Sequence, residues 1–136
     1  MKRSVMVLAL VLLCGCPATK LDVGPATGAQ PATCDSGCAA EWERAQLWIV
    51  KHSHMKIQLA TDVTIQTYNP PDNSTYFAFG VMKEPIGEGK YRITMGMGCV
   101  NLISCGSRPE DIKAAFNYYV STGTDILEGR HPRGLL

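Results

Sequence analysis

Cysteine and histidine are the residues of this chain whose spacing could support chemistry. His52 and His54 are two positions apart, and their imidazole nitrogens could share a metal ion if further ligands joined them. A protein metal site needs three or four ligands, and the sequence offers no Asp, Glu or Cys at a fitting spacing nearby. The pair is therefore interpreted as a solvated connector between a helix and a strand, and no metal or other cofactor is predicted.

Six cysteines are many for a chain of 136 residues. The spacing of Cys34 and Cys38 is one residue wider than that of a thioredoxin-type redox pair, and no strand is predicted before them to present a thiolate. Cys99 and Cys105 are interpreted as closing a loop rather than as a metal knuckle. These four thiols allow three pairings. The local pairs Cys34–Cys38 and Cys99–Cys105 are favoured because each is close in sequence, and the crossed pairings stay open because Cys38 falls on a helical apolar stripe.

Recognisable catalytic motifs are missing from the sequence. It contains no serine in a nucleophile elbow, no glycine-rich phosphate loop and no prominent carboxylate pair. This is weak evidence against catalysis, because triads assembled across a fold have no local signature. A net charge of +1 with 18% charged residues also gives no sign of a nucleic-acid surface. A non-catalytic role is therefore favoured, and no nucleic-acid partner is predicted.

Two apolar stripes at helical spacing predict the helices of the domain. The first stripe consists of Cys38, Trp42, Ala45 and Ile49. Asp35 and Ser36 could supply capping oxygens for that helix. The second stripe follows Ser107-Arg108-Pro109-Glu110, which has the pattern of a capping box, and Gly123 would end that helix. Its residues are Ile112, Ala115, Phe116, Tyr119 and Val120.

Alternating apolar residues predict the strands. The run from Ile57 to Ile65 is either one bent strand or two short ones, with Ile57, Leu59, Val63 and Ile65 facing one way. Two more alternating runs flank a turn at 84–89, with apolar positions at Phe77, Phe79, Val81, Tyr91, Ile93, Met95 and Met97. The prediction is a two-layer α+β domain. It is an antiparallel meander of three or four strands, with an N-terminal and a C-terminal helix packed on one face.

This alternation leaves an unusual set of residues on the outward face of the sheet. The candidates for an interaction surface are Tyr76, Gly80, Lys90, Arg92, Gly96 and Gly98. Glycine weakens a strand unless something approaches closely or the strand must bulge or coil. The face is therefore either a binding surface or the result of strong sheet coiling.

The amino terminus has the layout of an export signal. Lys2 and Arg3 precede an apolar block from Val5 to Leu13, which is shorter than the roughly 20 residues of a membrane-spanning helix. The following Leu13-Cys14-Gly15-Cys16 resembles the lipobox of bacterial lipoproteins. That resemblance implies cleavage before Cys16 and a diacylglycerol on its thiol, so that lipid anchors the protein to a membrane. In that family, Asp after the lipidated cysteine favours the inner membrane of Gram-negative bacteria. Because residue 17 is Pro, the resemblance also implies the outer membrane.

Composition divides the chain into four segments. Residues 1–15 are a signal peptide, and residues 16–33 are a lipidated cysteine with a flexible tether poor in large apolar residues. Residues 34–123 form one disulfide-stapled domain, as expected for an exported chain. Residues 124–136 are a loose basic tail.

These observations predict a lipid-anchored periplasmic module that binds an envelope protein or peptidoglycan without catalysing a reaction. A small hydrolase or thiol redox enzyme using His52, His54 or the cysteines is the first alternative. An inhibitor of a cell-wall hydrolase is the second, by analogy with other small disulfide-bearing lipoproteins.

Overall fold

The computed structural model describes residues 18–129. The predicted signal peptide 1–15, Cys16 and the end of the tail, 130–136, lie outside the described residues. The helices are α1 (Ala39–His52) and α2 (Pro109–Thr122), with a short 3-10 helix at Gly24–Ala26. The strands are β1 (Ala32–Asp35), β2 (Ile57–Ala60), β3 (Thr64–Thr67), β4 (Ala78–Gly87) and β5 (Lys90–Gly98).

The fold is α+β, with one five-stranded antiparallel sheet and two helices. The strand order is β1-β5-β4-β3-β2. The predicted count of three or four strands was too low because β1 forms before α1 and pairs with β5, where Ala32 lies opposite Ile93. The predicted helix placement was also inexact, since α1 follows a strand instead of opening the domain.

Trp48 joins both helices to the sheet. Its ring meets Phe79 of β4 edge-on at 5.9 Å and Phe116 of α2 edge-on at 5.4 Å between centroids. The helical stripe predicted from sequence is buried here, since Trp42, Ala45 and Ile49 all face the core. Burial of a large apolar side chain contributes about 1.5–3 kcal/mol, so this cluster contributes substantially to the stability of the domain.

The predicted N-terminal caps of both helices were wrong, whereas Gly123 ends α2 as predicted. The N-cap of α2 is Arg108, whose carbonyl accepts hydrogen bonds from the amides of Asp111 and Ile112 at 3.1 and 3.3 Å. Ser107 precedes this N-cap, is buried and pairs with Thr19 in an isolated β-bridge. The N-cap of α1 is Cys38, which lies beyond the predicted caps at Asp35 and Ser36.

The run from Ile57 to Ile65 forms two short strands. A register irregularity between Ile57 and Leu59 turns Leu59 to the same face as Gln66, its partner in β3. One extra residue in a strand reverses the faces of those beyond it. Leu59 is therefore exposed, and Val63 is exposed because it lies in the bend between β2 and β3, whereas the sequence placed both on the same face as buried Ile65.

The β4–β5 hairpin is longer than predicted. The sequence placed a turn over 84–89, but Pro85 belongs to β4 and lies opposite Tyr91. The connection consists of Glu88 and Gly89, whose φ angles are +52° and +71°. Positive φ at both central residues matches the twist of the flanking strands, which makes the tight turn compatible with a long hairpin.

The segments at both ends of the domain are packed rather than free, which corrects the predicted domain bounds. In the predicted tether, Leu21, Val23 and Ala26 are buried against the core, and the amide of Asn117 donates to the carbonyl of Ala29 at 2.9 Å. In the predicted tail, Leu127 is fully buried. The folded unit therefore extends across the described range 18–129.

Two disulfides are present, Cys34–Cys38 and Cys99–Cys105, with Cα separations of 5.4 and 6.1 Å. They are the local pairs favoured from the sequence. The first joins β1 to the start of α1, and the second closes the loop between β5 and α2.

Candidate functional site

One face of the sheet is open. The buried residues of the central strands are Ile65, Phe79, Val81, Ile93 and Met95, which register places on a single face. The residues between them lie on the opposite face. There Gln66 lies opposite Gly80 and Gly80 opposite Gly96, while Thr64, Met82 and Thr94 form the adjacent row.

Three glycines form the floor of this open face. Gly80 is paired with Gly96, and Gly98 is paired with Ala78 in the next row on the same side. A Cβ built on Gly80 or Gly98 would meet nothing within 4 Å, and one on Gly96 would meet only the Gly80 carbonyl at 3.7 Å. None of the three has a positive φ angle. Packing within the described domain therefore does not require glycine at these positions.

A shallow groove of about 380 Å³ lies over the glycine floor. Side-chain amides line it beside the exposed backbone, from Gln58, Gln66 and Asn69. Amides both donate and accept hydrogen bonds, so this groove suits an extended chain rich in polar groups.

The charged candidates of the predicted interaction surface, Lys90 and Arg92, lie at the hairpin end of the open face. Arg92 is opposite Glu84 on one side and Thr33 on the other. Lys90 is opposite Asp35 and lies 4.0 Å from the Glu88 carboxylate. The register therefore brings Arg92 onto the same face as Gly80, Gly96 and Gly98, and places Lys90 at the end of that face.

Tyr76 lies outside β4, in the segment that precedes it. Its exposed ring packs at 4.4 Å between centroids against the ring of His54. Tyr76 is therefore separate from the other candidates for the interaction surface and forms an aromatic pair with His54.

The two histidines have different surroundings. His52 is buried, its ring is 4.7 Å from that of Trp48, and its Nε2 lies 2.9 Å from Oδ2 of Asp125. His54 is exposed beside Tyr76. Within residues 18–129, no group of three or more His, Cys, Asp or Glu side chains could hold a metal ion.

Asp125 is the centre of a polar cluster that sequence reasoning missed. Burial alone would raise the pKa of its carboxyl, but hydrogen bonds from His52, from the Leu127 amide and from Lys51 outweigh burial and lower that pKa. The bond to Asp125 in turn raises the pKa of Lys51, whose Nζ is 3.3 Å away. The cluster fixes residues 124–129 to the end of α1, and no local signal in the sequence indicated this long-range pairing.

A second polar cluster lies beside a cleft of about 770 Å³ between residues 20–30 and α2. Arg108 donates two hydrogen bonds to Asp111, at 2.9 and 2.7 Å, and the amide of Leu21 donates to the same carboxylate at 2.9 Å. The Arg108 bond is the largest reason that the pKa of Asp111 is lowered. The carboxylate is occupied by its partners, so the cluster attaches the N-terminal segment to α2.

Comparison of the chain with protein-family models, with curated protein sequences and with solved structures gave no match. Among the described residues, the structure contains no helix with the length and apolar character needed to cross a membrane.

Proposed function

We propose that this chain is an envelope lipoprotein, cleaved before Cys16 and anchored by lipid on that residue. Support comes from the lipobox-like Leu13-Cys14-Gly15-Cys16 after a short apolar block. The cysteine arrangement agrees with export, because all four cysteines between residues 18 and 129 are paired in disulfides, which persist in oxidising compartments. The proposed location is the periplasmic side of the outer membrane.

We infer further that the domain is a non-catalytic binding module whose contact surface is the open sheet face. The observation that carries this proposal is the glycine floor, where three glycines leave the backbone uncovered although internal packing does not require them. A sheet interior normally favours β-branched or aromatic residues. Glycine there allows another chain to approach the backbone closely. An envelope protein or the peptide of peptidoglycan is the proposed partner class.

Several features support binding over catalysis through His52, His54 or the cysteines. His52 is buried against Asp125, and the four cysteines of the described domain are in disulfides. His54 borders a shallow hollow of about 350 Å³. Its ring packs against Tyr76, whereas the ring of His52 packs against Trp48. The described residues therefore do not bring the predicted chemical groups to one place.

The test of the binding surface is substitution of its floor. Gly96→Thr and Gly98→Thr should leave thermal stability unchanged or slightly raised, since Thr is favoured in strands and the space is open. The same variants should lose the partner recovered by crosslinking in the native host. Ala60→Thr, at an exposed position of β2, is the matched control and should retain the partner. If the Gly96→Thr and Gly98→Thr variants are folded and still recover the partner, the proposal that this face binds it is refuted.

The test of the anchor is separate. Mass analysis of the mature amino terminus should find Cys16 as the first residue, carrying a diacylglycerol. An unmodified Cys16 or cleavage elsewhere would refute the lipoprotein proposal without bearing on the sheet face.

A further inference from the structure

The loop closed by Cys99–Cys105 presents large aliphatic side chains to solvent. Leu102 is 94% exposed and Ile103 is 85% exposed, and Val100 beside them is more than half exposed. Moving such a side chain from water into an apolar environment is favourable by about 1.5–3 kcal/mol. Adjacent aliphatic residues at the tip of a loop are therefore expected to contact an apolar partner.

The tip is held in place by its own hydrogen bonds as well as by the disulfide. The Asn101 side-chain oxygen accepts from the amides of Ile103 and Ser104 at 2.9 and 3.0 Å. Its amide nitrogen donates to the carbonyl of Asn73 at 2.6 Å, and the Asn73 amide donates to the carbonyl of Val100 at 3.0 Å. Presenting Leu102 and Ile103 therefore requires little further ordering, which favours binding.

The loop lies next to the start of the described chain. The amide of Thr19 donates to the carbonyl of Gly106 at 3.0 Å, and the amide of Arg108 donates to the carbonyl of Thr19 at 3.1 Å. Cys16 precedes Thr19 by three residues in the sequence, and three residues of chain span at most about 11 Å. A lipid on Cys16 would thus be attached beside the Cys99–Cys105 loop, with no long tether between membrane and domain.

We propose that the Cys99–Cys105 loop is a second membrane contact, with Leu102 and Ile103 entering the bilayer beside the acyl chains of Cys16. This inference rests on the proposed lipid anchor. The anchor already confines the domain to the surface, so even two side chains gain from a high effective concentration of lipid. The proposed contact is apolar because the tip residues are aliphatic, so it needs no anionic lipid.

The experiment places a fluorescent side chain at the tip of the lipidated full-length protein. Leu102→Trp is reconstituted into phosphatidylcholine vesicles with brominated lipid, which quenches tryptophan within the bilayer. Native Trp42 and Trp48 are buried in the core, and unsubstituted protein gives their background. Val63→Trp is the matched control, because Val63 is exposed but lies far from the loop. The carbonyl of Val63 accepts a hydrogen bond from the amide of Lys83. That pairing puts it at the level of Ile93, roughly 17 Å along the sheet from Gly98.

The expected result is severalfold stronger quenching of Leu102→Trp than of Val63→Trp. Adding Ile103→Asp to Leu102→Trp should reduce the quenching to the control level, because a charge at the tip opposes insertion. Equal quenching of the two tryptophans, or quenching of neither, would overturn the inference. So would an emission shift of Leu102→Trp that requires added envelope protein instead of lipid.

Mass analysis of the same sample separates this inference from the anchor on which it rests. Lipid on Cys16 together with unquenched Leu102→Trp overturns the membrane contact alone. An unlipidated Cys16 overturns the proposed anchor, whatever the fluorescence.

Discussion

Removal of the Asp125 carboxylate should detach the C-terminal segment from α1 and destabilise the domain. The carboxylate side chain is 4% exposed and accepts hydrogen bonds from His52 at 2.9 Å and from the Leu127 amide at 3.1 Å. Asp125→Ala leaves buried His52 without this partner. Loss of a hydrogen bond to a charged group costs about 1.5–3 kcal/mol. We therefore expect a fall in Tm on the order of 10 °C at neutral pH, measured by circular dichroism.

The pH dependence of this effect follows from the direction of the pKa shift. Because the pKa of Asp125 is lower in the folded state, its contribution is fully present above the ordinary value near 3.8. It is lost as pH falls through the folded-state pKa. The stability difference between the unsubstituted protein and Asp125→Asn, which removes the charge and replaces one of the two acceptor oxygens by a donor, should therefore shrink below that value.

Glu128→Gln is the matched control for Asp125. Glu128 also contacts Lys51, at 3.4 Å, but its side chain is 72% exposed. An exposed ion pair contributes at most about 1 kcal/mol, so this variant should unfold close to the original temperature. If Asp125→Ala proves as stable as Glu128→Gln, the reasoning that a buried carboxylate fixes the C-terminal segment is refuted.

Two further variants test other contacts of the domain. Asp111→Asn should speed amide hydrogen exchange around Leu21 while the core stays protected; unchanged exchange would contradict the role of this carboxylate. Lys83→Met should lower the free energy of unfolding by about 1–2 kcal/mol in denaturant titration, because the Lys83 ammonium lies over the Trp42 and Tyr91 rings and donates to a carbonyl. An unshifted midpoint would refute that estimate. The matched controls are substitutions of an exposed carboxylate and an exposed lysine, Glu110→Gln and Lys90→Met.

Local periodicity was enough to predict the parts of the fold that have strong patterns. The stripes through Trp42 and Phe116 predicted two helices, and alternation around Val81 and Ile93 predicted the central antiparallel pair. Each of these elements buries large side chains on one face, so the spacing of apolar residues along the sequence indicates whether the element is a helix or a strand. Exact ends were harder to predict, since the N-cap of α2 is Arg108 and not the adjacent Ser107 of the predicted capping box.

Tertiary contacts explain what the sequence did not reveal. Residues 18–33 resemble a tether because they have few large apolar side chains, yet hydrogen bonds from Thr19 and Leu21 to the α2 region hold them in place. The short strand β1 has no alternating pattern of its own and forms by pairing with β5. The Asp125 cluster depends on partners more than 70 positions away, which no window along the chain can detect.

The two proposed surfaces together imply an orientation of the domain on the membrane. The Cys99–Cys105 loop follows the end of β5 at Gly98, whereas the hairpin end at Lys90 is eight residues earlier, roughly 26 Å away along an extended strand. If Leu102 enters the bilayer, β5 rises from the membrane and the charged hairpin end points away from it. The open glycine face is then roughly perpendicular to the membrane surface, where a partner can reach it. A partner on that face should therefore crosslink near Arg92 while a probe at Leu102 reports lipid, and a single variant should not abolish both signals.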